Sequence, residues 1–240
     1  MNFQKNHKQE LWLVVMLSLG ASAIYSLLSL LRKLTSDAGL AGSTTTINRP
    51  LAEQPWLDLL SQLASISLSL VPILLALYFL RQDGISLGLK PKWKDLAHAL
   101  GLAAAIGIPG IGLYFAALEL GLTSQVVPSS LGDYFWTIPV LLLAALRAGL
   151  LEEIIAVGFV MKKLKLISPT LSLLVIVLIS ALFRASYHLY QGYSAFLGNF
   201  VMGLVFAYYF HKTGRVAPLI IAHTLMNSVV FVGYPLLGSL

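Results

Sequence analysis

Apolar residues in this chain gather into long unbroken runs rather than alternating with polar ones. The runs are Leu11–Leu31, Trp56–Leu80, Leu96–Leu120, Tyr134–Met161, Pro169–Tyr190, Phe196–Phe210 and Val216–Tyr234. A helix needs about 20 apolar residues to cross the roughly 30 Å hydrocarbon core of a bilayer. Most of these runs reach that length, and Phe196–Phe210 falls short of it. The pattern therefore predicts an all-α, polytopic membrane bundle of about seven transmembrane helices. Ala21-Ser22-Ala23 imitates a signal-peptidase site, but the apolar run continues past it, so an uncleaved helix is expected. Residues 34–55 and 121–133, rich in Ser, Thr, Gly and Pro, are expected to be loops. Arg81–Asp95, with Trp93 among lysines, suits a headgroup interface. Pro72 predicts a kink, and Pro109 with its neighbouring glycines a loosened helix centre. Ala99, Ala103 and Gly107 form a small-residue stripe for close helix packing.

Composition agrees. Of 240 residues, 58% are hydrophobic and 11% charged, whereas a soluble domain carries about a quarter charged residues. The length suits one integral bundle, with residues 1–133 as N-terminal helices and loops and 134–240 as the chemistry-bearing helices. The net charge of +6 does not indicate a nucleic-acid surface, because no basic stripe is interleaved with aromatics. The charge instead follows topology. With a cytoplasmic N-terminus, one side holds Lys5, Lys8, Arg81, Lys90, Lys92, Lys94, Lys162, Lys163, Lys165, Lys212 and Arg215. The other side holds Arg32, Lys33 and Arg49. The expectation is a multi-pass cell-membrane protein with its N-terminus inside and its C-terminus outside. Cysteine is absent, which excludes disulfides, a thiol nucleophile and thiolate-bound zinc.

Glu152 and Glu153 stand out against this background, adjacent and deep within the fourth run. A charge at the centre of a membrane helix costs about 2.5–3.5 kcal/mol on insertion scales, so each acid needs a partner, water or a function. A structural ion pair between helices would suffice. Other polar residues recur downstream, however. Arg184 and His188 share a helix face, as do His223 and Asn227. Taken singly, such residues serve as interhelical hydrogen-bonding groups. Together they supply a base, a water-orienting group and oxyanion donors, the parts needed for hydrolysis. Two histidines and a carboxylate can also hold Zn²⁺, although no His-Glu-x-x-His helix is present. Buried Glu, His and Arg also serve transporters and proton relays, but the chain lacks matching broken segments in two halves. Successive helical residues point about 100° apart, so the two acids cannot face the same water closely.

The run Glu152-Glu153 with Gly158 and Phe159, then His188, then His223-Thr-Leu-Met-Asn227, resembles the CAAX-protease and bacteriocin-processing family (CPBP, or Abi) of intramembrane proteases, which includes the type II CAAX prenyl endopeptidases. The resemblance covers roughly residues 134–234. It implies a metal-free, glutamate-dependent endopeptidase acting on membrane-associated peptides or proteins. Glu152 would activate water, His188 would help hold it, His223 and Asn227 would stabilise the oxyanion, and Glu153 would be a supporting acid. The chain departs from the family pattern at two positions. Val157 stands where the motif arginine belongs, and Arg184 where the motif phenylalanine belongs. Since Arg184 lies one turn before His188, an interhelical Arg184–Glu153 pair is expected to replace the intrahelical one. A protein that keeps this fold without turnover, as an immunity or scaffold factor, is the non-enzymatic alternative. For Glu152 and His188 to meet, the fifth helix must start outside the hydrocarbon core or tilt strongly.

Overall fold

The computed structural model describes residues 6–233. Lys5, counted in the topology above, and Tyr234, the expected end of the last run, lie outside the described residues. The helices are α1 (His7–Met16), α2 (Leu19–Leu34), α3 (Pro55–Leu68), α4 (Val71–Gln82), α5 (Trp93–Glu119), α6 (Thr137–Glu152), α7 (Val160–Ile167), α8 (Leu173–Ser186), α9 (Tyr193–Thr213) and α10 (Ala217–Ser228). A π-helical segment, Glu153–Phe159, joins α6 to α7, and a second, Val229–Gly233, extends α10. A 3₁₀ turn, Leu189–Gln191, follows α8.

By length and apolarity, three segments can cross a membrane: Pro55–Gln82, Trp93–Glu119 and Tyr193–Thr213. The pair α1 and α2, bent by 49°, makes a fourth if it is one broken span. The expectation of about seven spans is thus met only in part. The run read as Pro169–Tyr190 holds a helix of 14 residues that ends in the 3₁₀ turn. The last run yields 12 α-helical residues before its backbone widens. Apolar length signals burial in oil, protein or lipid alike, so core helices resemble spans. The outer surface nonetheless fits a bilayer. Ile108 is 71% exposed, Phe115 58% and Leu74 64%, and many leucines beside them also face outward. Such continuous apolar surface is stable only against lipid or a partner.

Proline acts as its chemistry dictates. Pro72 begins α4 after a break at Ser69–Leu70, so the second run is interrupted where a kink was expected. The α5 helix runs through Pro109 without interruption, and the expected loosening leaves no break. The stripe on α5 faces α10: Ala99 is fully buried, and Met226 lies against Gly107.

Two segments expected as loops pair instead. Strands β1 (Thr44–Asn48) and β2 (Gln125–Ser129) run parallel, with Thr45 opposite Val126. Lys33, counted among exposed loop charges, is buried beneath them. Its ammonium donates to Thr45 Oγ1, to Ser124 Oγ at 3.1 Å and to the Tyr190 carbonyl at 2.7 Å. A buried ammonium must find such acceptors, and here they tie α2 to the strand pair and the 3₁₀ turn.

The opposite end is closed by charges as well. Lys163 was expected in a basic loop, but its side chain is 0% exposed, paired with Glu10 and, at 2.5 Å, with Asp83. Arg215 donates to Asp95 at 2.6 Å and to the Lys90 carbonyl at 2.7 Å. Its hydrogen bonds to Asp95 raise the Arg215 pKa further above its ordinary value.

The central core joins α4, the π segment, α8, α9 and α10 through Ile73, Ile155, Val177, Phe206 and Leu219. Two glycines allow close approaches between its helices. A Cβ on Gly149 of α6 would lie 2.6 Å from Thr224 Oγ1 on α10. One on Gly203 of α9 would lie 2.8 Å from the Ala181 Cα on α8. The second approach leaves the stem of Arg184 running directly over α9.

Candidate active site

The two acids mark the point where α6 gives way to the π segment: Glu152 is the last α-helical residue and Glu153 the first of the wider turn. Widened turns of this kind recur at functional sites because they leave backbone groups and side chains outside the regular ladder. The adjoining helix covers one of them, as Ser180 Oγ of α8 donates to the Ala156 carbonyl at 2.7 Å. Segments 137–152, 153–159 and 160–167 are continuous, so the helical rod extends past Lys162–Lys165. The neighbouring helix begins only at Leu173. Glu152 and His188 each lie 15 residues from that common end, roughly 22 Å along a helix. The two residues therefore share one depth, and no strong tilt is needed.

Glu153 points into protein and is 0% exposed. Arg184 meets it with both guanidinium nitrogens, Nη1 to Oε2 at 3.1 Å and Nη2 to Oε1 at 2.6 Å. This is the interhelical pair expected from the sequence, in the bidentate form that suits a carboxylate. His223 Nδ1 also approaches Glu153 Oε1, at 2.7 Å. A carboxylate only accepts, so a proton lies between them and Nδ1 donates. Arg184 Nη2, 3.1 Å from the same nitrogen, converges on the carboxylate rather than bonding to the ring. Val157, at the motif arginine's position, is buried and apolar. The Arg184 guanidinium also stacks over Phe206, 5.5 Å from its centroid.

Glu152 turns to the other side, onto the wall of an open cavity of about 760 Å³. Tyr187 Oη donates to its Oε2 at 3.0 Å, and Arg184 Nη2 lies 3.3 Å from the same oxygen. One guanidinium therefore bridges both acids. His188 Nδ1 lies 3.1 Å from the Arg184 carbonyl, which can only accept, so this nitrogen carries a proton. In the neutral ring Nε2 is then bare, and it faces Glu152 Oε2 at 4.0 Å. The cavity is lined there by Glu152, Tyr187 and His188. A water between the two acceptors can donate one hydrogen to each, a geometry that orients its remaining lone pairs.

The structure thus gathers Glu152, Glu153, Arg184, His188 and His223. It does not bring Asn227 into this network. Asn227 lies one turn beyond His223 on α10, half-buried, and no hydrogen bond joins its amide to another described residue. Tyr187 was missed at the sequence level. A tyrosine beside a polar motif looks like interfacial aromatic packing, and only its position against Glu152 distinguishes it. Arg147 of α6 also lines the cavity, five residues before Glu152, and its buried Nε has no hydrogen-bond partner among the described residues.

Among the described residues, only His7, Glu10 and Asp83 gather ligand atoms closely enough for a metal ion. There the Lys163 ammonium is already paired with both acids. At the central site, His223 and Glu153 are turned to one another and to Arg184, not to a shared vacant point with Glu152 and His188.

Neither the curated proteins nor the solved structures contain a match to this chain. Residues 134–229, the segment that carries the acids and histidines just described, match the model of the family described as type II CAAX prenyl endopeptidase Rce1-like, the protease family that the motifs resemble.

Proposed function

We propose that this chain is a membrane-embedded, glutamate-dependent endopeptidase that cleaves membrane-associated peptides or proteins without a metal. The observation that carries this reading is the position of Glu152, held by Tyr187 and opposite the bare Nε2 of His188, on the wall of an open cavity. In this reading Glu152 takes a proton from the water that His188 orients. The hydroxide adds to the scissile carbonyl carbon, and the negative charge develops on the carbonyl oxygen. Glu152 then returns its proton to the leaving nitrogen, and the carbon–nitrogen bond breaks. His223, with Nδ1 committed to Glu153, contributes to the oxyanion through Nε2 when the ring is protonated. Asn227 supplies an amide donor by rotating towards the cavity. Glu153 and Arg184 hold the imidazole and the catalytic acid in place. Tyr187 and Arg184 stabilise charge on Glu152 between proton transfers. About seven membrane-embedded segments, several of them short, enclose this chemistry.

The test uses the purified full-length protein in liposomes with membrane-anchored fluorogenic peptides. Cleavage should persist in strong chelators and fall about 10²–10⁴-fold in Glu152→Gln and His188→Ala, the range typical of a lost acid–base group. Activity that disappears on chelation and returns with Zn²⁺ overturns the metal-free mechanism. Folded wild-type protein that cleaves none of a broad panel favours the non-enzymatic scaffold. Proton or solute flux across the liposomes favours a transporter.

A further inference from the structure

Resting on the hydrolytic reading, we propose that Arg147 is a specificity-determining residue, which binds a carboxylate carried by the substrate peptide near the bond that Glu152 cuts. Arg147, Ala148, Leu151 and Glu152 all line the cavity, so one face of α6 presents a guanidinium and the water-activating acid to the same space. A guanidinium taken out of water needs acceptors, and the Nε of Arg147 is buried without one among the described residues. The neighbouring acids are already committed. Glu152 accepts from Tyr187 at 3.0 Å with Arg184 at 3.3 Å, and Glu153 is held by Arg184 and His223. Glu152 also lies about 140° around the helix from Arg147. No other acid lines the cavity, whereas Arg32, Lys33 and Arg49 do. Of these, Lys33 is tied to Thr45, Ser124 and the Tyr190 carbonyl. A cleft lined by one sign of charge concentrates ligands of the other sign.

The anion that fits is a carboxylate on a peptide. A guanidinium presents paired N–H donors that match a carboxylate bidentately. Tyr190, which also lines the cavity, accepts from Gln191 Nε2 at 2.8 Å and keeps its own hydroxyl hydrogen to donate. On α2, Ser22, Ser26 and Ser29 line the cavity at spacings of four and three residues, one face of that helix. Hydroxyls on that wall suit the amide and carbonyl groups of an extended chain rather than acyl tails. Glu152 comes five residues after Arg147, about 7.5 Å farther along the helix axis. An extended peptide advances about 3.3 Å per residue, which places the carboxylate about two or three residues from the cleaved bond, as a chain end or an acidic side chain.

The purified full-length protein in phosphatidylcholine liposomes is given membrane-anchored fluorogenic peptides of one sequence in matched forms. One pair ends in a free carboxylate or an amide. The other pairs carry Glu or Gln at each position within about three residues of the cleaved bond, which product masses locate. Wild-type kcat/KM should favour at least one carboxylate form by about 10–100-fold, the range of a hydrogen bond to a charged group. The favoured pair identifies the source of the carboxylate. In Arg147→Gln that ratio should fall close to one, and Arg147→Lys should keep part of it, so the readout is the ratio and not the absolute rate. Equal cleavage of acid and neutral forms by the wild type, or a preference that survives in Arg147→Gln, overturns the proposal. So does indifference to peptide charge combined with dependence on added phosphatidylglycerol, which assigns Arg147 to a lipid phosphate. The wild-type comparison stands whether or not Arg147→Gln folds. Fluorescence anisotropy of the labelled peptides on Glu152→Gln separates binding from chemistry. There the carboxylate form should bind about 10–100-fold more tightly than its neutral partner even if no peptide is cleaved, so a failure of hydrolysis is told apart from a failure of carboxylate recognition.

Discussion

Removing Arg184 should be among the most damaging single changes in the protein, and a double-mutant cycle can show why. The guanidinium is 1% exposed and binds Glu153 through two hydrogen bonds, 3.1 and 2.6 Å long, with Glu152 a further 3.3 Å away. Arg184→Leu keeps the approximate bulk over Phe206 but leaves two adjacent buried acids to share His223 and Tyr187. Breaking a buried pair by removing one partner costs about 3–5 kcal/mol, because the remaining charge is uncompensated. Arg184 serves two acids, which places the expected loss towards the upper end of that range. For a chain of this size each kcal/mol moves the melting temperature by about 2–4 °C, so the drop should be roughly 6–20 °C. Glu153→Leu alone leaves Arg184 with Glu152 as its counter-charge and should cost less. The double substitution removes the orphaned charge and should recover much of the Arg184→Leu loss. Recovery stays incomplete, because Glu152 has still lost its guanidinium and His223 its acceptor. Thermal unfolding of the four proteins in one detergent, followed by tryptophan fluorescence, measures the coupling. Simple additivity would refute the claim that Arg184 and Glu153 stabilise the bundle as a pair.

Tyr187→Phe removes the hydroxyl 3.0 Å from Glu152 while retaining the ring that packs edge-on against Phe183. A hydrogen bond to a charged group is worth about 1.5–3 kcal/mol, so kcat should fall about 10–100-fold with KM little changed. An unchanged kcat would reduce Tyr187 to packing. Gly203→Ala would place its methyl 2.8 Å from the Ala181 backbone and 3.3 Å from the Arg184 stem. Overpacking of this kind costs about 1–3 kcal/mol, visible as a lower melting temperature, and wild-type stability would show that α8 and α9 can part without penalty.

Much of this protein is legible in the sequence, where the physics is local. Apolar run length follows from the cost of exposing or burying backbone and side chains, and it locates the helices near their final limits. Spacing of four residues puts Arg184 with His188 and His223 with Asn227 on single faces, because the helix repeat alone decides that. The loss of a motif arginine at Val157 and its appearance at Arg184 implied the pair with Glu153, since a buried acid must be compensated wherever the compensation comes from. What sequence could not decide were relations between elements distant along the chain. Run length does not separate a lipid-crossing helix from a core helix, because both are apolar, so the expected seven crossings are met only in part, by three or four segments long and apolar enough to span. The loops around Thr45 and Val126 carry no long alternating pattern, and their pairing depends on helices α2 and α5 delivering them to the same end of the bundle. Lys163 reads as one of a run of cytoplasmic lysines, yet acids from α1 and α4 reach it and allow its burial. The division of labour between Glu152 and Glu153 depends on where the ladder widens and which neighbour each acid meets, and Tyr187 enters only because α8 ends beside α6. Neighbouring side chains on one helix are fixed in direction by the backbone, but the partner each finds is fixed by packing, and packing is a property of the whole fold.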